Sequence, residues 1–241
     1  GSFPEQEVTM YFLSNDAPDQ FYRLTNVPEA SWKFRSLEIA FNKRMSNGWQ
    51  LGGSANFSKN PGNYPVSWQS SSSFGVFSNA NSFVNRYGEM PYSRPTIIKL
   101  YGTFNLPYQI MFSFIFQHVD GSPWGRTVRV LPPEQWAAEH NVSSTGYSIN
   151  VETPGTRWNE PYDNLDIRFQ KDFRLGPGNL GFYVDIFNLL GAYTLTINKN
   201  PGGTWRPVNE ATSEGSFTPG SLGLRGFSGS RQIRFSVLYR F

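Results

Sequence analysis

The last nine residues, Ile233-Arg234-Phe235-Ser236-Val237-Leu238-Tyr239-Arg240-Phe241, place a hydrophobic side chain at every second position and finish on an aromatic. Period-two alternation of this length describes a strand with one apolar and one polar face. Ile233, Phe235, Val237, Tyr239 and Phe241 share one face; Arg234, Ser236 and Arg240 share the other, with Leu238 the exception. A soluble edge strand seldom presents such a row, because it invites pairing with other chains. A transmembrane barrel strand has this pattern by necessity: its outward residues meet lipid, and its inward residues meet water or a plug.

If the chain meets a membrane, it must do so with strands. In its 241 residues no run approaches the 18 apolar residues of a membrane helix, and the mean hydropathy is -0.44. Low hydropathy beside 17% aromatic residues is what alternating strands and long polar connections give. The absence of cysteine excludes disulfides and thiolate metal sites, and a net charge of +3 without a basic run gives no reason to expect a nucleic-acid partner. Gly1-Ser2-Phe3-Pro4-Glu5 has neither the basic nor the apolar region of an export signal, so the chain is expected to be a mature form or a fragment.

Strand signals recur in pairs. Residues 32–44 alternate Leu37, Ile39 and Phe41 with Ser36, Glu38 and Asn42; Asn47-Gly48 is a strong hairpin signal; and residues 49–58 return. Residues 96–106 and 109–119 flank Leu106-Pro107-Tyr108, and residues 164–173 and 180–190 flank Leu175-Gly176-Pro177-Gly178-Asn179. The closing strand is 231–241, and a weaker signal at 7–13 would be the end of an ascending strand, making about eight. Between the pairs lie long polar connections at 59–94, 120–163 and 191–230, in the second of which Val128-Arg129-Val130 is expected to extend the preceding strand.

Short turns alternating with long loops are the asymmetry of outer-membrane barrels, whose turns are periplasmic and whose loops are extracellular. The expected fold is therefore an all-β transmembrane antiparallel barrel, occupying 1–241 as a single unit, with its C-terminus in the periplasm. The competing reading is a soluble sandwich or barrel with one face on a core. Trp32, Trp49, Tyr101, Tyr108, Tyr183 and Tyr239 fall near strand ends or along strands, as aromatic belts do, and favour the membrane reading.

The segment FRSLEIAFNKRMSNGWQLGGSANFSK (34–59) resembles the late-barrel hairpin of TonB-dependent outer-membrane receptors, especially the group with a carboxypeptidase-regulatory-like domain at the N-terminus. RPTIIKLYGTFNLP (94–107), GSPWGRTVRV (121–130), NLDIRFQKDFRLGPGNLGFYVDIFNLLG (164–191) and RQIRFSVLYRF (231–241) are similar to successive later segments. The resemblance implies that the chain is the C-terminal part of a 22-stranded barrel in a Gram-negative bacterium. Its partners would be outer-membrane lipid, the barrel-assembly machinery, and the TonB complex acting through an N-terminal plug not found in this sequence. The implied function is energised uptake of a bulky solute of the siderophore, cobalamin or oligosaccharide class, with no enzymatic step and no cofactor. The alternative is a structural or adhesive outer-membrane barrel, or a subunit of an outer-membrane assembly, that transports nothing.

Candidate residues fall into three groups. Glu38, Asp166, Arg168, Asp185, Arg234 and Arg240 lie on polar strand faces and are expected to face the lumen, where cross-strand pairing is the natural role. Trp68, Trp124, Trp136, Trp158 and Trp205, with Tyr64, Tyr87 and Tyr92, lie in the long connections and are candidates to stack on a solute's rings; packing within the loops explains them equally well. Ile233, Phe235, Val237, Tyr239 and Phe241 form the ending that the resemblance implies is read for barrel insertion. Gly176-Pro177-Gly178-Asn179-Leu180-Gly181 matches a dinucleotide-binding pattern by letter but joins two strands and opens no helix. His118, Asp120, Glu139 and His140 are too dispersed in sequence to predict a catalytic or metal site.

Overall fold

A computed structural model describes residues 6–18, 28–63, 80–143, 145–199, 202–210, 214–221 and 223–241. The first hairpin is β1 (Arg35–Ser46) and β2 (Trp49–Lys59), followed by a two-residue ribbon of β3 (Pro61–Gly62) and β4 (Gly88–Glu89). The second is β5 (Thr96–Leu106) and β6 (Ile110–Val119). The next connection holds β7 (Pro123–Trp124), β8 (Thr127–Val130), helix α1 (Glu134–Glu139), β9 (Tyr147–Asn150) and β10 (Arg157–Trp158). The third hairpin is β11 (Tyr162–Leu175) and β12 (Gly178–Phe187). After it come β13 (Tyr193–Lys199), β14 (Thr204–Pro207), β15 (Gly215–Thr218), β16 (Gly223–Ser228) and finally β17 (Gln232–Arg240).

Seven of these strands make one antiparallel sheet, in the order β1-β2-β5-β6-β11-β12-β17. The meander follows from the turns. Asn47 and Gly48 both take positive φ, as a two-residue hairpin requires. Tyr108 and Gln109 do the same after Pro107, and Gly176 before Pro177. Each turn brings the chain straight back beside itself, so sequence neighbours become sheet neighbours.

Pairing register fixes which residues share a face, because directly opposed antiparallel residues point the same way. One register row runs Trp49, Phe104, Phe112, Phe169, Val184, Phe235 across six strands. Neighbouring rows on that face carry Leu37, Ile39, Phe41, Leu100, Phe114, Ile167, Phe182, Ile186 and Val237. The other face carries Ser36, Glu38, Ser54, Lys99, Thr103, Gln117, Asp166, Arg168, Asp185 and Arg234. Gly102 lies beneath the Phe114 ring, so close that a Cβ there would sit 2.7 Å from it.

The three long connections are not featureless. β8, β9, β14 and β15 form a second sheet in the order β15-β14-β8-β9, in which β14 runs parallel to β8 through Thr204–Arg129 and Trp205–Val130. With α1 and the β3–β4 and β7–β10 ribbons, this sheet forms a cap at the end of the wall opposite the three turns. Among the described residues the buried aliphatic side chains, Met90, Ala137 and Ile149, all lie in this cap.

Several expectations need correction. The sheet has seven strands, not eight, because residues 7–13 form no strand; they lie extended against the cap, where Ser14 makes a single bridge to Val142. Val128-Arg129-Val130 does not extend β6, since the chain leaves the wall at Asp120 and β8 finds its partners in the cap. The first strand starts at Arg35 rather than 32 and runs on to Ser46 through a register irregularity after Lys43. Tyr101 and Tyr183 belong to the polar face: Tyr101 lies over Gly52, and Tyr183 accepts a bond from Arg240. No closed barrel is seen; among the described residues β1 and β17 each have one sheet neighbour and do not pair with each other.

Candidate functional site

The most distinctive surface is the apolar face of the wall. Leu37, Ile39, Phe41, Phe57, Phe182, Ile233 and Val237 are exposed on it, and Phe235 is 76% exposed. None of the described residues covers them. The aromatics there touch across strands: Trp49 stacks on Phe104 with centroids 6.2 Å apart, Phe112 lies 5.1 Å from Phe169, and Phe173 meets Phe182 edge-on at 5.7 Å. The alternating ending is part of this face, since Ile233, Phe235, Val237 and Tyr239 are paired with Ile186, Val184, Phe182 and Leu180; Phe241 follows, fully exposed, with its ring 6.2 Å from Tyr239.

Two lysines interrupt the apolar face, and sequence reading missed both. Lys43 curls its ammonium over the Trp49 ring, 3.7 Å from the centroid, while donating to the Ser46 and Trp49 carbonyls. Lys171 lies 5.1 Å from the Phe173 centroid. Both sit toward the turn end of the wall. Their position in an otherwise apolar alternation was the available signal, because a long cation can reach polar surroundings while its stem stays among apolar neighbours.

The polar face brings most of the predicted charges together. Arg168, Asp185 and Arg234 form one register row across β11, β12 and β17. Asp185 is 3% exposed and accepts from Arg168 Nη2 at 3.1 Å and from Arg234 Nη2 at 2.8 Å. Asp166 accepts the Asn188 backbone N–H at 2.8 Å, and Arg240 donates to the Tyr183 hydroxyl at 3.0 Å. Glu38, on exposed β1, is not joined to this group; among the described residues no hydrogen bond or ion pair engages its side chain. Uncharged ladders complete the face, with Gln50, Thr103 and Ser113 linked in sequence across β2, β5 and β6.

The loop tryptophans do not converge. Trp124 has one ring face covered by the Arg157 guanidinium, centred 5.5 Å away. Trp136, on α1, is stacked on His140 at 4.5 Å and met edge-on by Phe12 at 6.1 Å. Trp205, on β14, lies over Gly215 of β15, while Trp158 is 40% exposed and the most open of the four. Trp68 lies outside the described residues.

Glu152 is the electrostatic anchor of the cap. Its carboxylate is buried and takes three bonds of 2.9–3.1 Å from Arg157 and one of 2.9 Å from the Arg126 backbone N–H. Bonding from Arg157 holds the Glu152 carboxyl below its ordinary range despite the desolvation that opposes ionisation, and Glu152 in turn raises Arg157. Where the wall meets the cap, His118 lies between Asp163 and Asp120, 2.7 Å and 3.2 Å from its two ring nitrogens. Asp163 arrives there through the β6–β11 register, which the sequence spacing did not reveal. Among the described residues there is no cluster of metal-ligating side chains.

Compared with protein-family models, curated proteins and solved structures, the chain matches none of them, and its function must be read from its own geometry.

Proposed function

We propose that the chain supplies seven strands of an outer-membrane β-barrel wall and the folded cap on its extracellular side, in a TonB-dependent receptor that takes up a bulky solute. The observation that carries this reading is the single apolar face, aligned by register across the whole wall and covered by none of the described residues. A soluble sheet buries such a face on a second layer; a barrel in a bilayer turns it to lipid.

Strand tilt supports the same reading. The register row through Trp49, Phe104 and Phe169 starts next to the first turn, stands three residues from Pro107 and then seven from Gly176, drifting about three residues per hairpin. At about 3.3 Å per residue and 4.8 Å between strands, turns lying in one plane imply a tilt of roughly 45°, within the range of transmembrane barrels. The unpaired edges of β1 and β17 are then joined by further strands of the complete barrel. Arg168, Asp185 and Arg234 face its lumen, and the turn end, with the lysine-capped aromatics, lies in the periplasm.

The lack of cysteine makes a direct test available. Single cysteines placed at Phe235 and Ser236, adjacent residues on opposite faces, are exposed in intact outer membranes to a water-soluble maleimide and to a bilayer-dissolved one. Phe235→Cys should react only with the lipid-phase reagent and Ser236→Cys with the aqueous one. Equal aqueous labelling of both would refute a lipid-facing wall.

The mutual pairing of Arg168, Asp185 and Arg234 favours, as a second reading, a structural barrel that moves no solute, since these charges are engaged with one another. Solute accumulation that collapses when the proton-motive force is dissipated separates transport from that alternative.

A further inference from the structure

Residues 6–17 belong to neither sheet, yet their exposure alternates as in a strand: Val8, Met10 and Phe12 are half-covered by the cap, while Thr9, Tyr11 and Leu13 are exposed. Among the described residues no strand lies beside Tyr11 to pair with it. Instead Asn81, 2% exposed, accepts the Tyr11 N–H at 2.9 Å and donates to the Tyr11 carbonyl at 2.7 Å, doing with one side-chain amide what a neighbouring strand does with its backbone. Phe12 enters an aromatic slot, 6.1 Å from Trp136 and 5.8 Å from Tyr147. At either end Asn85 holds Gln6, and Asn141 accepts the Asn15 N–H at 2.8 Å.

We propose that this slot is a peptide-binding site of the cap that reads extended backbone plus one aromatic side chain, and that residues 6–17 are its exchangeable resident, a clasp whose departure loosens the cap and leaves the wall unchanged. Asn81 and Asn85 come from the first long connection, and Trp136, Asn141 and Tyr147 from the second, so the clasp joins two segments that are far apart in sequence. Because the Asn81 amide grips only backbone, side-chain selection rests first on Phe12, whose ring meets two aromatics, with Gln6 held by Asn85 at one end. The site therefore suits an extended peptide with a central aromatic and tolerates variation elsewhere. The inference stands on the cap alone and does not require the membrane reading.

Hydrogen exchange on the full chain, with a tagged synthetic peptide of residues 6–17 as the probe, tests it. Phe12→Ala should speed exchange of the Tyr11 amide about tenfold, speed that of β8 and β9 as well, and leave β5 and β6 unchanged. The probe should bind the Phe12→Ala chain, whose own clasp is weakened, at least about tenfold more tightly than the unaltered chain. It should not bind a Phe12→Ala, Asn81→Leu double variant. Unchanged exchange in β8 and β9, failure of the probe to bind the Phe12→Ala chain, or equal binding to the double variant would each overturn the proposal. If Asn81→Leu unfolds the cap, the Phe12→Ala measurements still decide.

Discussion

In the wall, long strands are joined by continuous backbone ladders and no apolar side chain is buried, whereas in the cap, strands of two to four residues surround Met90, Ala137 and Ile149. The wall's order comes from register: one hairpin dictates the next, and the apolar face is left uncovered by the described residues. The cap's order comes from individual polar grips, such as Glu152 on Arg157 and Asn81 on Tyr11, and from backbones pressed together at glycines. The difference teaches that the two regions should fail separately, and under different conditions.

The largest expected effect strikes the wall and depends on the solvent. Phe235→Arg places a guanidinium in the middle of β17 on the apolar face, where Phe235 is 76% exposed. In a bilayer it should cost about 2–4 kcal/mol; in water a substitution at so exposed a position stays within about 0.5 kcal/mol. Urea titration of protein folded into lipid vesicles measures the difference. A loss below 0.5 kcal/mol in vesicles would remove the ground for calling this face lipid-facing.

Next, the cap should yield to one methyl group. A Cβ on Gly202 would lie 1.1 Å from the Thr127 carbonyl oxygen, where the third connection crosses the start of β8. No side-chain rotation relieves a clash with backbone, so Gly202→Ala should cost the cap about 1–3 kcal/mol. Limited proteolysis should then cut the connections holding β8 and β14 sooner, with the β5–β6 hairpin as resistant as before. Equal loss in both regions would show that wall and cap unfold together.

A smaller effect depends on pH. The native Glu152 carboxyl is depressed by Arg157, so its contribution is fully present above the ordinary carboxylate range and is lost as pH falls through the depressed native value. Glu152→Gln should cost the cap about 1–2 kcal/mol near neutrality and progressively less in acid. The gap between the two proteins' cap stabilities, followed by exchange in β9, should narrow as pH falls. A gap independent of pH would mean the ion pair contributes through shape alone.

How much of this was legible in the sequence follows the same division. Alternation and turn chemistry located all seven wall strands, and parity alone placed Arg168, Asp185 and Arg234 on one face, because both signals are local. Boundaries moved where tertiary pairing intervened, as at Arg35 and Ser46. Residues 7–13 alternate as a strand does, but the partner that decides their state is the Asn81 side chain 70 positions away. The parallel pairing of β8 with β14 likewise joins two connections with no shared pattern. Glu152 carried no signal in the sequence: Arg157 is only five positions away, but nothing in the spacing shows that the pair is buried or that the Arg126 backbone N–H joins it.

The smallest effect lies at the turn end of the wall, where the apolar face carries a cation. Lys43 reaches back over Trp49 to the turn carbonyls, so its charge is placed at the rim while its stem crosses the apolar row shared with Leu51. Lys43→Met keeps the stem and removes the ammonium, and should cost about 0.5–1 kcal/mol. If the rim lies among charged headgroups, the loss should shrink as salt rises, because an exposed ammonium is screened there. Lys171→Met, which removes a cation 5.1 Å from Phe173 with no turn carbonyl in its grip, should cost less. If the two losses are equal, the turn bonds of Lys43 add nothing and ring attraction alone holds both lysines on the apolar face.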